Sequence, residues 1–328
     1  MAKDTLIQTN VQVSVRESQL LSEETVDRLI QANSYEEAIQ VMLDSSYARY
    51  FRDNQAASLS DIFARIRVDL LDWAYEINQH QLYLADIFAA SELFHNVKCV
   101  LKEKITGQSL RELRLEGSRY TIQEIESLVQ TSKQGRLPDE VREAVYQAIS
   151  SFGEWRSLQR VELIVDQFYF AYIRRLTNQA NSSDVTSFVQ TWIDLHNIAV
   201  LLQLPREQQD IAQLAFIEGG NISESSWMML YQEPVEAAGQ FFATTDYHGL
   251  WQQAVEPGGL DQFDKAVDNW LMKRLSGAMI SPFGVEKYLG YMVAKQMEIK
   301  NLRLILFAKR SGLAEDQIEK RVRRRYEL

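Results

Sequence analysis

Residues 294–307 read AKQMEIKNLRLILF, and Asn301 stands in the middle of that apolar run. An asparagine in such a place competes with its own helix for backbone hydrogen bonds, and it costs free energy if it is buried without a partner. The pattern occurs twice upstream. Residues 93–101 read LFHNVKCVL around Asn96, and residues 195–202 read LHNIAVLL around Asn197, so the three asparagines lie 101 and 104 residues apart. Similar segments returning at a near-constant interval are the mark of an internal repeat.

Other residues keep step with the asparagines. The pair Val68-Asp69 returns as Val165-Asp166 and Val267-Asp268, and each aspartate precedes its asparagine by a similar distance, 27, 31 and 33 residues. Each apolar asparagine segment is preceded by a long helical pattern, over 59–77, 161–176 and 263–275. Tyr47 in SSYARYF and Tyr247 in TTDYHGLW occupy corresponding places, with no counterpart in the middle copy. Glycine turns follow the first two asparagine segments, at 115–120 and 218–223. Capping boxes are expected at Ser34 with Glu37 and at Thr121 with Glu124, and Pro138 is expected at a first helical position.

The caps show how the copies join. Ser22, Thr121 and Ser223 each precede a leucine by seven residues, at Leu29, Leu128 and Leu230, and each cap helix is followed by a new start at Ser34, Pro138 or Pro234. The third copy has no cap helix of its own after Asn301, so the Ser22 helix is its expected substitute and the two termini should meet. The reading is an all-α chain of three pseudo-threefold-related helical lobes, over 34–137, 138–233 and 234–328, with 1–33 packing on the third.

Composition agrees with helices throughout: the 328 residues include only 14 Gly and 5 Pro, and Pro is missing from the long periodic segments it would break. A formal net charge of −10 argues against a nucleic-acid groove, which needs a surplus of Lys and Arg on one face. The lone Cys99 excludes an internal disulfide and a cysteine zinc site. No run approaches 18 uncharged apolar residues, and the N-terminus lacks the apolar core of a signal peptide. A cytoplasmic protein is expected, with attachment to the surface of a membrane complex left open.

The residues offer no catalytic constellation, and no cofactor or metal is expected. There is no GxGxxG or GxxxxGK[ST] loop. Of the four histidines, His80, His95, His196 and His248, His95 and His196 both precede a repeat asparagine, but Lys300 stands at that place in the third copy, so a structural or surface role is expected. Asp69, Asp166 and Asp268 bring no base or nucleophile with them, so a shared packing role is expected, each satisfying its copy's asparagine amide or a nearby helix end. The run Phe168-Tyr169-Phe170 with Tyr172, and Trp227-Met228-Met229, read as core. The tail, with Arg321, Arg323, Arg324 and Arg325, is either a cationic helix end or a dock for an acidic partner.

The segments NVKCVL, NIAVLL and NLRLIL, the closing block EIKNLRLILFAKRSGLAEDQIEKRV, the early ESQLLSEETVDRLIQANSYEEAIQVM and SSYARYF together resemble the C subunit of the bacterial and archaeal V-type (A/V-type) ATPases, related to the eukaryotic d subunit. The resemblance runs over essentially the whole chain and is most specific in its last fifty residues. Lys98 and Arg303 follow the asparagine in the outer copies, whereas Ala199 stands there in the middle one. The resemblance implies a funnel of three helical lobes and a non-catalytic rotor subunit at the cytoplasmic face, passing torque between an axle of the D and F subunits and the membrane proteolipid ring. Two other classes compete with it: a helical-repeat scaffold for protein partners, expected as an open solenoid, and an all-helical metal enzyme.

Overall fold

The computed structural model describes residues 2–52, 58–115, 119–133, 135–279 and 284–324. These form α-helices and no strand. In chain order they are α1 (Ala2–Glu17), α2 (Glu23–Gln31), α3 (Tyr35–Leu43), α4 (Ala48–Arg52), α5 (Leu59–Ile77), α6 (Tyr83–Thr106), α7 (Ile122–Thr131), α8 (Asp139–Trp155) and α9 (Leu158–Ala180). There follow α10 (Ser183–Gln203), α11 (Gln209–Ala215), α12 (Glu224–Gln232), α13 (Val235–Phe242), α14 (His248–Val255), α15 (Phe263–Met279), α16 (Glu286–Arg310) and α17 (Glu315–Glu319). Asn96, Asn197 and Asn301 lie on α6, α10 and α16, each preceded by a long helix: α5, α9 and α15.

Internal contacts divide the chain into two compact units, Met1–Arg67 with Asp246–Leu328, and Val68–Thr245. The first is built from both ends of the chain. Val26, Leu29 and Ile30 of α2 share one apolar core with Leu302, Ile305 and Leu306 of α16 and with Ile318 of α17. The expected meeting of the termini is therefore present, with the Ser22 helix against the Asn301 helix. Lys309 on α16 adds a polar tie by donating to the Ala32 carbonyl just past α2, 2.6 Å away.

Helix α1 gives no sign of itself in the hydrophobic pattern over its described side chains, 8–17, where the buried ones are Thr9, Asn10, Val13 and Glu17. Only one of these four is apolar. The face is held instead by polar partners in the same unit: Asn10 donates to the Gly284 carbonyl at 3.0 Å, and Glu17 pairs with Lys287 at 3.2 Å.

The caps largely follow their expected chemistry. Ser22, Ser34 and Ser223 each accept from the backbone N–H three residues on. Thr121 and Glu124 form the reciprocal box. At Ser34 the box is offset: Glu37 reaches past it to the backbone and side chain of Asn33, 2.8 and 3.1 Å away. Pro138 sits one place earlier than expected and, like Pro234, is an N-cap, the two having extended ψ of 150° and 156°. There the proline carbonyl opens the helical ladder while its missing N–H costs nothing.

Tyr47 and Tyr247, both buried, end the same kind of turn in front of α4 and α14. The middle copy lacks the tyrosine because α8 runs through the corresponding stretch without a break.

In the second unit α6, α8 and α9 pack around aromatic side chains. Phe94 meets Tyr169 edge-on at 5.7 Å and Tyr172 at 5.9 Å, while Trp227 stacks on Phe216 at 5.9 Å. Tyr169, Phe170, Tyr172 and Trp227 are core as expected, but Met229 points outward at 50 % exposure. Of the glycine turns, 116–118 lie outside the described residues. In the other, a Cβ on Gly220 would stand 2.1 Å from Asp194 Oδ1, so only glycine fits.

Candidate functional site

The three repeat asparagines make one construction three times. Asn96 donates through Nδ2 to the Leu115 carbonyl and accepts through Oδ1 from the Leu115 N–H, both at 2.8 Å. Asn197 does the same to Ile217, again at 2.8 Å in both directions. Asn301 does it to Arg323, at 3.1 and 2.9 Å. In each case the amide pairs with the backbone of a residue that follows a short helical element: Arg111–Leu113, α11 or α17. The side chain thus imitates one rung of a β-ladder on a helix flank. It satisfies its own amide and one whole peptide residue where water is excluded, since Asn96 and Asn197 have no exposed surface.

This differs from the expectation that the aspartates would satisfy the asparagine amides. A carboxylate can only accept, so it cannot meet both the donor and the acceptor of an amide, whereas a peptide unit can. Asp166 and Asp268 hold cations instead. Asp166 accepts from Lys98 at 2.6 Å, and Asp268 takes Lys300 at 3.0 Å and the Arg323 Nε at 2.5 Å. Asp69 is half-buried on α5. Asp166 and Asp268 thus share a place in the repeat and a charge type of partner, but take their cations from different positions, two after and one before the repeat asparagine.

A second acid set escaped the sequence reading. Three residues before Asn197, Asp194 accepts from the N–H groups of Asn221 and Ile222 at 3.0 and 3.2 Å. Three before Asn301, Glu298 accepts from the Leu21 N–H at 2.5 Å and from the Tyr47 hydroxyl at 2.6 Å. Ile222 and Leu21 are the residues just ahead of the caps Ser223 and Ser22. The Ser22 helix is thus held on α16 as the Ser223 helix is held on α10, although one is a chain neighbour and the other comes from the opposite end. The signal was available as an acid three residues before the asparagine in the second and third copies; Leu93 stands at that place in the first copy.

The remaining ionisable groups serve as ties. His95 meets the Leu113 carbonyl through Nε2 at 2.8 Å. His196 packs its ring 4.9 Å from Phe170, and burial holds its pKa below the usual histidine range. Asp86 accepts from Tyr75 at 2.8 Å and pairs with Arg119 at 3.3 Å, and burial still raises its carboxyl above the ordinary value. Among the described residues no cluster of three potential metal ligands occurs. In the basic tail Arg323 is engaged by Asp268, Arg324 donates its N–H to Asn269, and Arg321 is exposed. Arg325 lies outside the described residues. What these groups do chemically is hold backbone segments to helices; the buried Cys99 thiol lies 3.5 Å from His95 Nε2, but burial pushes the thiol's pKa up and the same nitrogen is engaged by the Leu113 carbonyl.

The sequence family described as ATP synthase (C/AC39) subunit matches residues 9–321. The chain belongs to that family. It is similar to the C subunit of the V-type sodium ATPase of Enterococcus hirae, 25 % identical over 317 residues that cover 95 % of this chain and 96 % of the relative. It is similar also to the C subunit of the A-type ATP synthase of Methanocaldococcus jannaschii, 21 % identical over 94 % of this chain and 84 % of the relative. That of Haloquadratum walsbyi is 23 % identical over 94 % and 95 %. The C/AC39 family is that of an accessory subunit of the ATPase complex and not its catalytic subunit. Among the described residues no helix is long and apolar enough to cross a membrane.

Proposed function

We propose that the chain is a non-catalytic central-stalk (rotor) subunit of a V-type ATPase, coupling the axle of the D and F subunits to the membrane proteolipid ring. It would transmit the torque of ATP-driven proton or sodium transport, or of ATP synthesis, from a peripheral position at the cytoplasmic face. The observation that carries the reading is the end-to-end match to relatives named as the C subunits of a sodium ATPase and of ATP synthases.

The clamps support it physically. A torque coupler has to be stiff, and buried asparagine rungs join the returning chain to each long helix where close-packed interiors deform little. The same construction on α6, α10 and α16 supports three lobes, over 34–137, 138–233 and 234–328, with 1–33 completing the third, set as a funnel about a pseudo-threefold axis. Arg321, Arg323, Arg324 and Arg325 remain proposed contacts for an acidic partner surface.

The test is recovery of partners. The tagged full-length chain, taken from membranes at low salt, is expected to bring down the axle and the proteolipid subunits together. Recovery of neither would refute the rotor reading and leave a helical scaffold for other proteins.

A further inference from the structure

Two helix junctions hold large apolar side chains out into solvent at corresponding places in the repeat. Each leads from the helical stretch that follows the proline start, α8 in one copy and α13 with α14 in the other, into the long helix before the asparagine helix. In the second unit α8 meets α9 through Trp155-Arg156-Ser157-Leu158, with Trp155 54 % and Leu158 37 % exposed. In the first unit α14 meets α15 through Val255-Glu256-Pro257-Gly258-Gly259-Leu260, with Val255 and Leu260 both 45 % exposed. Single exposed apolar residues are ordinary on a protein surface. A pair flanking a tight turn, at the same place in two copies, is not what scatter produces. The corresponding junction of the first copy, 53–57, lies outside the described residues.

Both tips are built to hold those side chains still. The Arg160 guanidinium lies 4.5 Å from the centre of the Trp155 ring and is itself fixed by Asp210 at 3.0 Å, so one face of the indole is backed and the other is free. Arg156 turns the chain with φ 52°, in the left-handed region that L side chains rarely take. At the other tip Gly258 has φ 77°, and a Cβ on Gly259 would stand 1.9 Å from the Gln253 carbonyl oxygen. The Gly259 N–H closes the turn onto the Glu256 carbonyl at 2.8 Å. Rigid, exposed aromatic and aliphatic side chains are the anchors that interfaces use, because little side-chain freedom is lost when they dock.

Charge says what kind of surface fits. Glu154 stands beside Trp155, and Glu256 and Asp261 flank the Val255 and Leu260 pair; all three acids are exposed. The nearby cations Arg160 and Lys265 are turned to Asp210 and to the Lys320 carbonyl, leaving Arg156 as the exposed cation among the tip residues. The Val255–Leu260 tip is therefore net acidic, while Glu154 and Arg156 balance at the Trp155 tip, on a chain of net charge −10.

We propose that each tip is a docking element that inserts its apolar pair into a socket on a protein partner within the ATPase complex, a socket rimmed by Lys or Arg where it receives the Val255–Leu260 tip. The proposal rests on the reading of the chain as a subunit of that complex. Charge favours a protein over lipid as the occupant, because an anionic headgroup layer would repel Glu256 and Asp261.

The experiment uses the full-length chain and membranes that carry the ATPase without it. Saturable rebinding is measured for the wild type, for Trp155→Ser with Leu158→Ser, and for Val255→Ser with Leu260→Ser. Each double variant is expected to need at least about tenfold more protein for half-saturation, with unchanged circular dichroism and thermal midpoint. Glu256→Lys is expected to weaken rebinding in the same direction, most at low salt. Rebinding of both double variants at the wild-type level would overturn the tips while leaving the subunit reading intact. Failure of the wild type to rebind would refute the subunit reading itself, and the docking proposal with it. Equal binding of the wild type to protein-free phosphatidylglycerol–phosphatidylethanolamine vesicles, with a blue shift of tryptophan fluorescence that Trp155→Phe removes, would assign the tips to lipid and overturn the protein partner.

Discussion

Asn197 replaces a peptide rung with a side chain, and the consequence of losing it is calculable. Leucine at that position fits the apolar flank but leaves the N–H and C=O of Ile217 buried and unpaired, Ile217 itself being 2 % exposed. Each orphaned group costs about 1–3 kcal/mol, so Asn197→Leu is expected to lower stability by about 3 kcal/mol, read from urea unfolding. An unchanged midpoint would mean the rung contributes nothing. Glu124 supplies a pH-dependent counterpart. Hydrogen bonds from Arg136 and from Thr121 lower its carboxyl from an ordinary 4.5 to about 2. A depressed carboxylate favours the folded state above its unfolded pKa and loses that contribution as pH falls through its folded one. The stability difference between the wild type and Glu124→Gln should therefore be full near neutral pH, shrink below about pH 4.5 and level off near pH 2. Thermal midpoints over that range give the comparison directly.

At the scale of elements, the junction of α2 with α16 carries the most weight. Leu302, Ile305 and Leu306 are 1 % exposed or less, and α2 provides part of the core that covers them. A chain beginning at residue 34 is expected to bind a hydrophobic dye and to lose more helical signal than residues 1–33 account for, because the exposed face of α16 no longer has an apolar neighbour. The full-length chain should do neither. Helix α1 teaches the opposite lesson. Hydrophobic periodicity finds helices that bury apolar faces, and α1 buries Thr9, Asn10 and Glu17, whose reason lies in Gly284 and Lys287 more than 250 residues away.

For the whole molecule, the rotor reading predicts a coupling phenotype and not a catalytic one. Membranes depleted of the chain are expected to hydrolyse ATP without building an ion gradient, and purified chain added back should restore transport at an unchanged or slower hydrolysis rate. Parallel assays of phosphate release and of proton or sodium uptake make the distinction. Loss of hydrolysis with retained coupling would contradict the proposal. The two compact units set a structural expectation within this picture. Asn197→Leu acts in Val68–Thr245 and Asn301→Leu in the unit formed by the two chain ends, so their costs should add.

The sequence by itself determined the helices that bury apolar faces, most of their caps, the threefold recurrence and the meeting of the termini, because each depends on spacing that a helix converts into a face or an end. The repeat asparagines were visible as oddities for the same reason: an amide in an apolar run asks for a partner. Which partner it takes was decided only by tertiary structure. The rungs at Leu115, Ile217 and Arg323 pair backbone groups, and every residue but proline carries the same peptide N–H and C=O, so no side-chain pattern marks them out. The ties of Asp166 to Lys98 and of Leu21 to Glu298 were likewise beyond the sequence, since distance along the chain says nothing about which charge or N–H a folded helix brings within hydrogen-bonding reach of an acid.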